Sequence, residues 1–88
     1  MKNAENTTKK SKSVKPLSGK CIGTPMISKQ NETYQEAQFY VQTKTGRQYK
    51  VYGMQAAASK ALEITEGQEV NLIGIYLTSD AYRMLNFK

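Results

Sequence analysis

One stretch near the middle of the chain, YQEAQFYVQTKTGRQYKVYG, constrains the fold more than any other. Its first half, residues 34–43, alternates apolar and polar side chains, which is typical of a β-strand with one buried face. Residues 44–46, Lys-Thr-Gly, fit a three-residue hairpin loop in which the glycine adopts the left-handed conformation. Residues 47–53 then resume the alternation. The sequence therefore predicts a β-hairpin.

The length of this loop determines which residues face each other across the hairpin. A three-residue loop pairs Phe39 with Val51 and Val41 with Tyr49, so that four apolar side chains share the core face. A two-residue loop would pair Tyr40 with Val51 and mix the two faces. With the predicted register, the opposite face carries Glu36, Gln38, Tyr40, Gln42, Gln48, Lys50 and Tyr52.

A strand before the hairpin and a helix after it are also indicated. Residues 17–28 form a first strand that is interrupted by Gly19, Gly23 and Pro25; glycine there marks a bulge or a sharp coil, and proline excludes a central ladder position. Residues 54–62 are rich in alanine and predict a short helix. Its apolar stripe consists of Met54, Ala57, Ala58, Ala61 and Leu62, and the small side chains allow close packing.

Two more strands follow the helix. Residues 68–77 alternate, with Val70, Leu72 and Tyr76 on the core face, and residues 82–87 form the last strand. The order of elements is three strands, one short helix and two strands. This order predicts an all-β protein with one short helix, namely the five-stranded Greek-key barrel called the OB-fold.

The first 15 residues differ in composition from the rest of the chain. They contain five lysines, one glutamate and only three apolar residues. A segment this polar cannot bury enough surface to offset its ordering entropy. We therefore predict a disordered basic arm over residues 1–15 and one domain over residues 16–88. Two interpretations of the arm are open: a source of nonspecific affinity for phosphates, or a solubilising tail.

Missing residue types exclude most kinds of catalytic and metal site. The chain has no histidine, one cysteine and one aspartate, and its glutamates show no paired spacing. Imidazole catalysis and most zinc sites require the absent residues. We predict a non-enzymatic binding protein without a metal ion or cofactor. No apolar run has the length of a signal peptide or membrane span, which favours a cytoplasmic protein without a membrane partner.

From Gly19 to Leu77 the chain resembles the bacterial single-stranded DNA-binding (SSB) protein family. CIGTPMISKQNETYQEAQFYVQT resembles that family's first strand, Gly/Pro break, loop and second strand. YKVYGMQAAASKAL resembles its third strand, which ends in an aromatic–glycine pair before an alanine-rich helix, and TEGQEVNLIGIYL resembles its glycine turn and fourth strand. The resemblance implies an OB-fold that binds single-stranded DNA. It also puts Tyr52, and less directly Tyr40, at base-stacking positions.

The polar face of the hairpin has the chemistry that such binding requires. Tyrosine rings stack on any base, lysine binds phosphate, and glutamine amides pair with base edges or sugars. The predicted nucleic-acid-binding residues are Lys20, Gln38, Tyr40, Gln42, Lys44, Arg47, Gln48, Lys50, Tyr52 and Arg83. An ordinary solvated strand face that carries tyrosines is the open alternative, and the two cations at the hairpin tip are equally consistent with solvated charges.

Two functions are open at this point. The first is binding of single-stranded DNA or RNA in replication or recombination, for example of a plasmid or other mobile element. The second is a small accessory subunit that docks on a polymerase, primase or helicase. Ile73, Ile75 and Leu77 lie on the solvent side of the predicted fourth strand and break its alternation. They are the predicted contact surface for a second copy of the chain or for such an enzyme.

Overall fold

The structure, a computed structural model, describes residues 13–88, so most of the predicted arm lies outside the described residues. The elements are β1 (Lys15–Gln30), β2 (Gln35–Gln42), β3 (Gln48–Met54), α1 (Ala56–Leu62), β4 (Glu69–Thr78) and β5 (Ala81–Phe87). The strands form a closed barrel in the order β1-β2-β3-β5-β4. With one short helix between β3 and β4, this architecture is an OB-fold and confirms the predicted fold class.

Strand β1 is long because it pairs with two neighbours in succession. Its first part, from Lys15 to Lys20, is antiparallel to β4, and its later part is antiparallel to β2. The register to β2 shifts after Ile22, next to Gly23, whose φ of 77° lies in the left-handed region. The predicted interruption is therefore a bulge inside one strand. The strand extends two residues beyond the predicted segment at each end.

The hairpin of β2 and β3 has the predicted register. Phe39 faces Val51, Val41 faces Tyr49, and Tyr40 faces Lys50. The loop closes as expected for three residues, since the N–H of Thr43 donates to the carbonyl oxygen of Arg47 at 2.8 Å. In the loop, Gly46 has a φ of 87°. Loop length and alternation together were sufficient to predict this part of the fold.

The core fills the inside of the barrel. Inward-facing residues of all five strands meet there, and α1 covers one end of the barrel. The core residues are Leu17, Cys21, Ala37, Phe39, Val41, Val51, Ala58, Ala61, Ile64, Val70, Leu72, Tyr82 and Met84. Tyr49 and Tyr76, both predicted on the core face, are partly buried and pack against this cluster.

The helix is shorter than predicted. Met54 is the last residue of β3 and not part of the helix, and Leu62 is 38% exposed although it was predicted on the buried stripe. The helix begins only after Gln55, whose φ of 57° lies in the left-handed region. It packs closely on the sheet, because a Cβ on Gly53 would lie 2.7 Å from the carbonyl oxygen of Ala57. Among residues 13–88, no helix is long and apolar enough to cross a membrane.

The outward side of β4 is less exposed than predicted. Ile73, Ile75 and Leu77 are each half-buried. Because the barrel is closed, β4 has a neighbour on both sides, and Ile73 faces Pro16 of β1 and Asn86 of β5. These neighbours cover part of the Ile73 side chain, and Ile75 faces Arg83 of β5. The role of the three residues as a contact surface stays a prediction.

Candidate nucleic-acid interface

The outer face of β2 and β3 brings six predicted residues together. Tyr40 faces Lys50, Gln38 faces Tyr52, and Gln42 faces Gln48. Residues directly opposite in an antiparallel pair point to the same side of the sheet, so all six side chains belong to one surface. Tyr40 is 42% exposed, which leaves a large part of its ring available for contact.

Lys50 and Tyr52 form a pair on this face. They are two residues apart in one strand and therefore point to the same side. The Nζ atom of Lys50 lies 5.6 Å from the centre of the Tyr52 ring, within the range of a cation–π contact. The contact holds a positive charge beside an aromatic surface. A phosphate and a neighbouring base can thus be bound next to each other.

Strand β5 extends the same surface. It runs parallel to β3, with Arg83 beside Tyr52 and Ala81 beside Lys50. Arg83 is exposed, so its guanidinium adds a second cation close to the tyrosine. The structure therefore brings Arg83 next to the hairpin residues. Its contact with nucleic acid stays a prediction.

Strand β1 adds two apolar side chains that sequence reasoning missed. Ile22 faces Tyr40 and Met26 faces Gln38. Their side chains are 37% and 65% exposed, respectively. Both contacts depend on the register between β1 and β2, which shifts at the bulge after Ile22 and which alternation within β1 does not give. Their presence gives the surface an apolar flank.

A cavity of about 360 Å³ opens on this surface. It is lined by Tyr40, Gln48, Lys50, Tyr52, Asp80 and Ala81. Asp80 belongs to the two-residue turn between β4 and β5 and was not among the predicted site residues. The turn reaches the cavity because β5 pairs with β3, a long-range contact without a signature in the local sequence.

A second, larger cavity of about 780 Å³ lies between the tip of the hairpin and the beginning of β4. Three predicted residues, Lys20, Gln42 and Lys44, are in its wall, together with Glu69. Gln42 belongs to both this cavity and the hairpin face, so the two regions adjoin. Lys44 itself lies at the hairpin tip and is separated from the tyrosines.

Arg47 is engaged in contacts within the protein. Its Nη2 donates to the carbonyl oxygen of Ser79 at 2.7 Å, and its guanidinium carbon lies 5.5 Å from the centre of the Tyr49 ring. Arg47 therefore connects the hairpin to the β4–β5 turn. A phosphate contact of this residue, as predicted from the sequence, would compete with these interactions.

Glu36 does not take part in the exposed face, contrary to the prediction. It is only 7% exposed. Its carboxylate accepts hydrogen bonds from the hydroxyl groups of Ser28 at 2.9 Å and Tyr34 at 2.8 Å. The hydrogen bond from Tyr34 to this carboxylate raises the pKa of the phenol. Glu36 thus links the end of β1 to the start of β2.

Cys21 has the structural role that its small apolar side chain suggests. It is 1% exposed, and burial raises the pKa of its thiol, so the reactive thiolate is disfavoured. Within residues 13–88, no three histidine, cysteine, aspartate or glutamate side chains lie together in a way that could hold a metal ion.

Comparison with known proteins agrees with the architecture. No protein-family model and no curated protein matches the chain. A solved structure does: the SSB domain of a protein from Synechococcus sp. has a TM-score of 0.71 at 19% sequence identity. The match covers 90% of this chain and 94% of that domain. At this identity the similarity shows the fold alone, and it agrees with the OB-fold of residues 13–88.

Proposed function

We propose that this protein binds single-stranded nucleic acid on the outer face of β2 and β3. The observation that carries the proposal is the grouping of Tyr40, Lys50 and Tyr52 on one accessible surface, with the Lys50 ammonium over the Tyr52 ring. Two stacking platforms beside a cation are the elements that OB-folds use to bind single strands. The similarity in fold to an SSB domain supports the same function.

Stacking favours a single strand over a duplex. An aromatic ring binds the face of a base, and in a duplex that face is covered by the neighbouring base pairs. Each stacked base contributes about 1–3 kcal/mol and does so for every base type. The exposed side chains of Ile22 and Met26 enlarge the apolar area next to Tyr40. We expect bases to lie on this apolar area.

The polar residues of the face complete the proposed site. Lys50 and Arg83 bind phosphates, and glutamine amides bind base edges or sugars. The amides are those of Gln38, Gln42 and Gln48. Lys20 and Lys44 extend the positive surface toward the larger cavity. The proposed ligand is single-stranded DNA during replication or recombination, for example of a plasmid or other mobile element. Single-stranded RNA is the alternative ligand.

A titration with defined oligonucleotides tests the proposal. The chain has no tryptophan, so its tyrosine fluorescence reports directly on stacking. A single-stranded oligonucleotide should quench it at micromolar or lower concentration in low salt, and a blunt duplex of equal length should bind much more weakly. Tyr52→Ala should lower the affinity for the single strand by about 1–3 kcal/mol.

Tyr52→Phe is the matched control, because it keeps the ring and removes only the hydroxyl group. This variant should retain most of the affinity. Equal affinity for duplex and single strand, or no binding of either, would contradict the proposed function.

A second candidate function is supported by apolar side chains of β4 and β5, of which Ile75 faces Arg83 and so adjoins the proposed binding face. Leu85 and Phe87 of β5 are 40% and 37% exposed, and the half-buried Ile73 and Ile75 belong to the neighbouring strand β4. Exposed apolar area of this kind is typical of protein interfaces. The partner would be a second copy of the chain or a replication enzyme, to which this protein would be an accessory subunit.

A further inference from the structure

The cavity on the proposed binding face contains one carboxylate, that of Asp80. The cations of the same face are Lys50, in the cavity wall, and Arg83, beside Tyr52. A negative charge here repels the phosphates of a bound strand and weakens binding of every sequence. The carboxylate favours binding only if it accepts hydrogen bonds from the ligand.

The position of Asp80 is defined by the turn that contains it. The backbone N–H of Lys50 donates to the carbonyl oxygen of Asp80 at 2.8 Å, and Arg47 donates to the adjacent Ser79 carbonyl at 2.7 Å. The turn is therefore attached to β3 through Lys50 and to the residue just before β3 through Arg47. Since β3 also carries Tyr52, the carboxylate and this tyrosine are positioned by the same strand.

One carboxylate oxygen is used inside the turn. The hydroxyl group of Thr78 donates to Oδ1 of Asp80 at 2.9 Å. Among residues 13–88, no other side chain donates a hydrogen bond to this carboxylate. Oδ2 therefore retains its acceptor capacity, in a residue that lines the cavity. A carboxylate accepts but does not donate when ionised, so it distinguishes donor groups from acceptor groups.

We propose that Asp80 reads one base of the bound strand by accepting a hydrogen bond from its exocyclic amino group. Cytosine, adenine and guanine carry such a group, whereas thymine and uracil have a carbonyl oxygen instead. A base stacked on Tyr40 or Tyr52 presents its edge to the cavity wall, where the Gln48 amide also lies. The site therefore prefers amino-bearing bases over thymine and uracil at one position. This inference rests on the proposed function.

Oligo-dC and oligo-dT of equal length test the preference, because both are pyrimidine strands with similar stacking area. The titrations are made at pH 8, where cytosine is unprotonated, with the wild-type protein, Asp80→Asn and Glu63→Gln. Asparagine preserves the turn, since its carbonyl oxygen can accept the bond from Thr78. Glu63 lies at the end of α1 outside both cavities, so Glu63→Gln removes the same charge elsewhere.

The wild-type protein and Glu63→Gln should bind oligo-dC about five- to tenfold more tightly than oligo-dT, as expected for one base contact. Asp80→Asn should lose this preference, mainly through tighter binding of oligo-dT. If both strands bind the wild type equally, or if Asp80→Asn keeps the preference, Asp80 is a turn residue only and the inference is wrong. If neither strand binds, the proposed function fails as well.

Discussion

Replacing Tyr82 with phenylalanine tests how the barrel is closed at the start of β1. The Tyr82 side chain is fully buried, and its hydroxyl group donates to the carbonyl oxygen of Lys15, the first residue of β1. A neutral hydrogen bond of this kind contributes about 0.5–1.5 kcal/mol net. Tyr82→Phe should therefore lower the free energy of unfolding by about 1 kcal/mol at pH 8.

The same hydroxyl group makes the difference in free energy of unfolding between the wild type and Tyr82→Phe depend on pH. Burial, with a smaller contribution from the nearby Tyr76, raises the pKa of Tyr82 to about 12. The unfolded chain releases this proton near the ordinary pKa of about 10. The stability that depends on neutral Tyr82 is thus fully present below pH 10 and is lost as the pH rises toward 12.

A shift of two pKa units corresponds to at most about 2.7 kcal/mol. The hydrogen-bonded carbonyl belongs to an exposed residue, Lys15, and solvent screening there reduces the effect to about 1–2 kcal/mol. The free energy of unfolding of the wild type should therefore exceed that of Tyr82→Phe at pH 8 but no longer do so at about pH 11.5. At the upper pH the variant should be equally stable or more stable.

Urea unfolding followed by far-ultraviolet circular dichroism at a series of pH values measures this difference. Every other residue is the same in the two proteins, so the comparison isolates the hydroxyl group of Tyr82 with its contacts. Tyr40→Phe makes the same chemical change at an exposed position and should alter the free energy of unfolding by less than about 0.5 kcal/mol at every pH. A difference between wild type and Tyr82→Phe that is constant from pH 8 to about pH 11.5 would refute the reasoning.

Three further predictions concern the helix, the charge on the binding face and the β4 surface. Gly53→Ala should lower the free energy of unfolding by about 1–3 kcal/mol, because the added Cβ would lie 2.7 Å from a carbonyl oxygen of α1; an unchanged urea midpoint would contradict this. Lys50→Ala should reduce the slope of log affinity against log salt by about 0.7, the value for one phosphate on a single strand, and an unchanged slope would exclude that contact. Ile73→Glu combined with Ile75→Lys should abolish self-association or partner capture, measured by light scattering and pull-down, and retain oligonucleotide binding. Failure of this double variant to fold would show that the two isoleucines serve the barrel alone.

Local features of the sequence determined the hairpin and most of the proposed site. Alternation assigns Phe39 and Val41 to the core, and a three-residue loop permits only one register that keeps the faces apart. That register alone puts Tyr40 beside Lys50 and Tyr52 on the same face. These relations involve residues close in the chain, where strand period and turn geometry leave few alternatives. The fold class followed from the order of strands and helix, because local patterns are sufficient to assign each of these elements.

Residues whose surroundings depend on contacts outside their own strand were not predictable in this way. Glu36 is buried because Ser28 and Tyr34 fold over it, although its position in the alternation is that of an exposed residue. Ile22 and Met26 join the binding face only because β1 pairs with β2 in this register, and Asp80 joins it only because β5 pairs in parallel with β3. Period and turn length describe a single strand or hairpin. The pairing of strands far apart in the chain is decided by closing the barrel around its core, and that packing determines which further side chains complete the site.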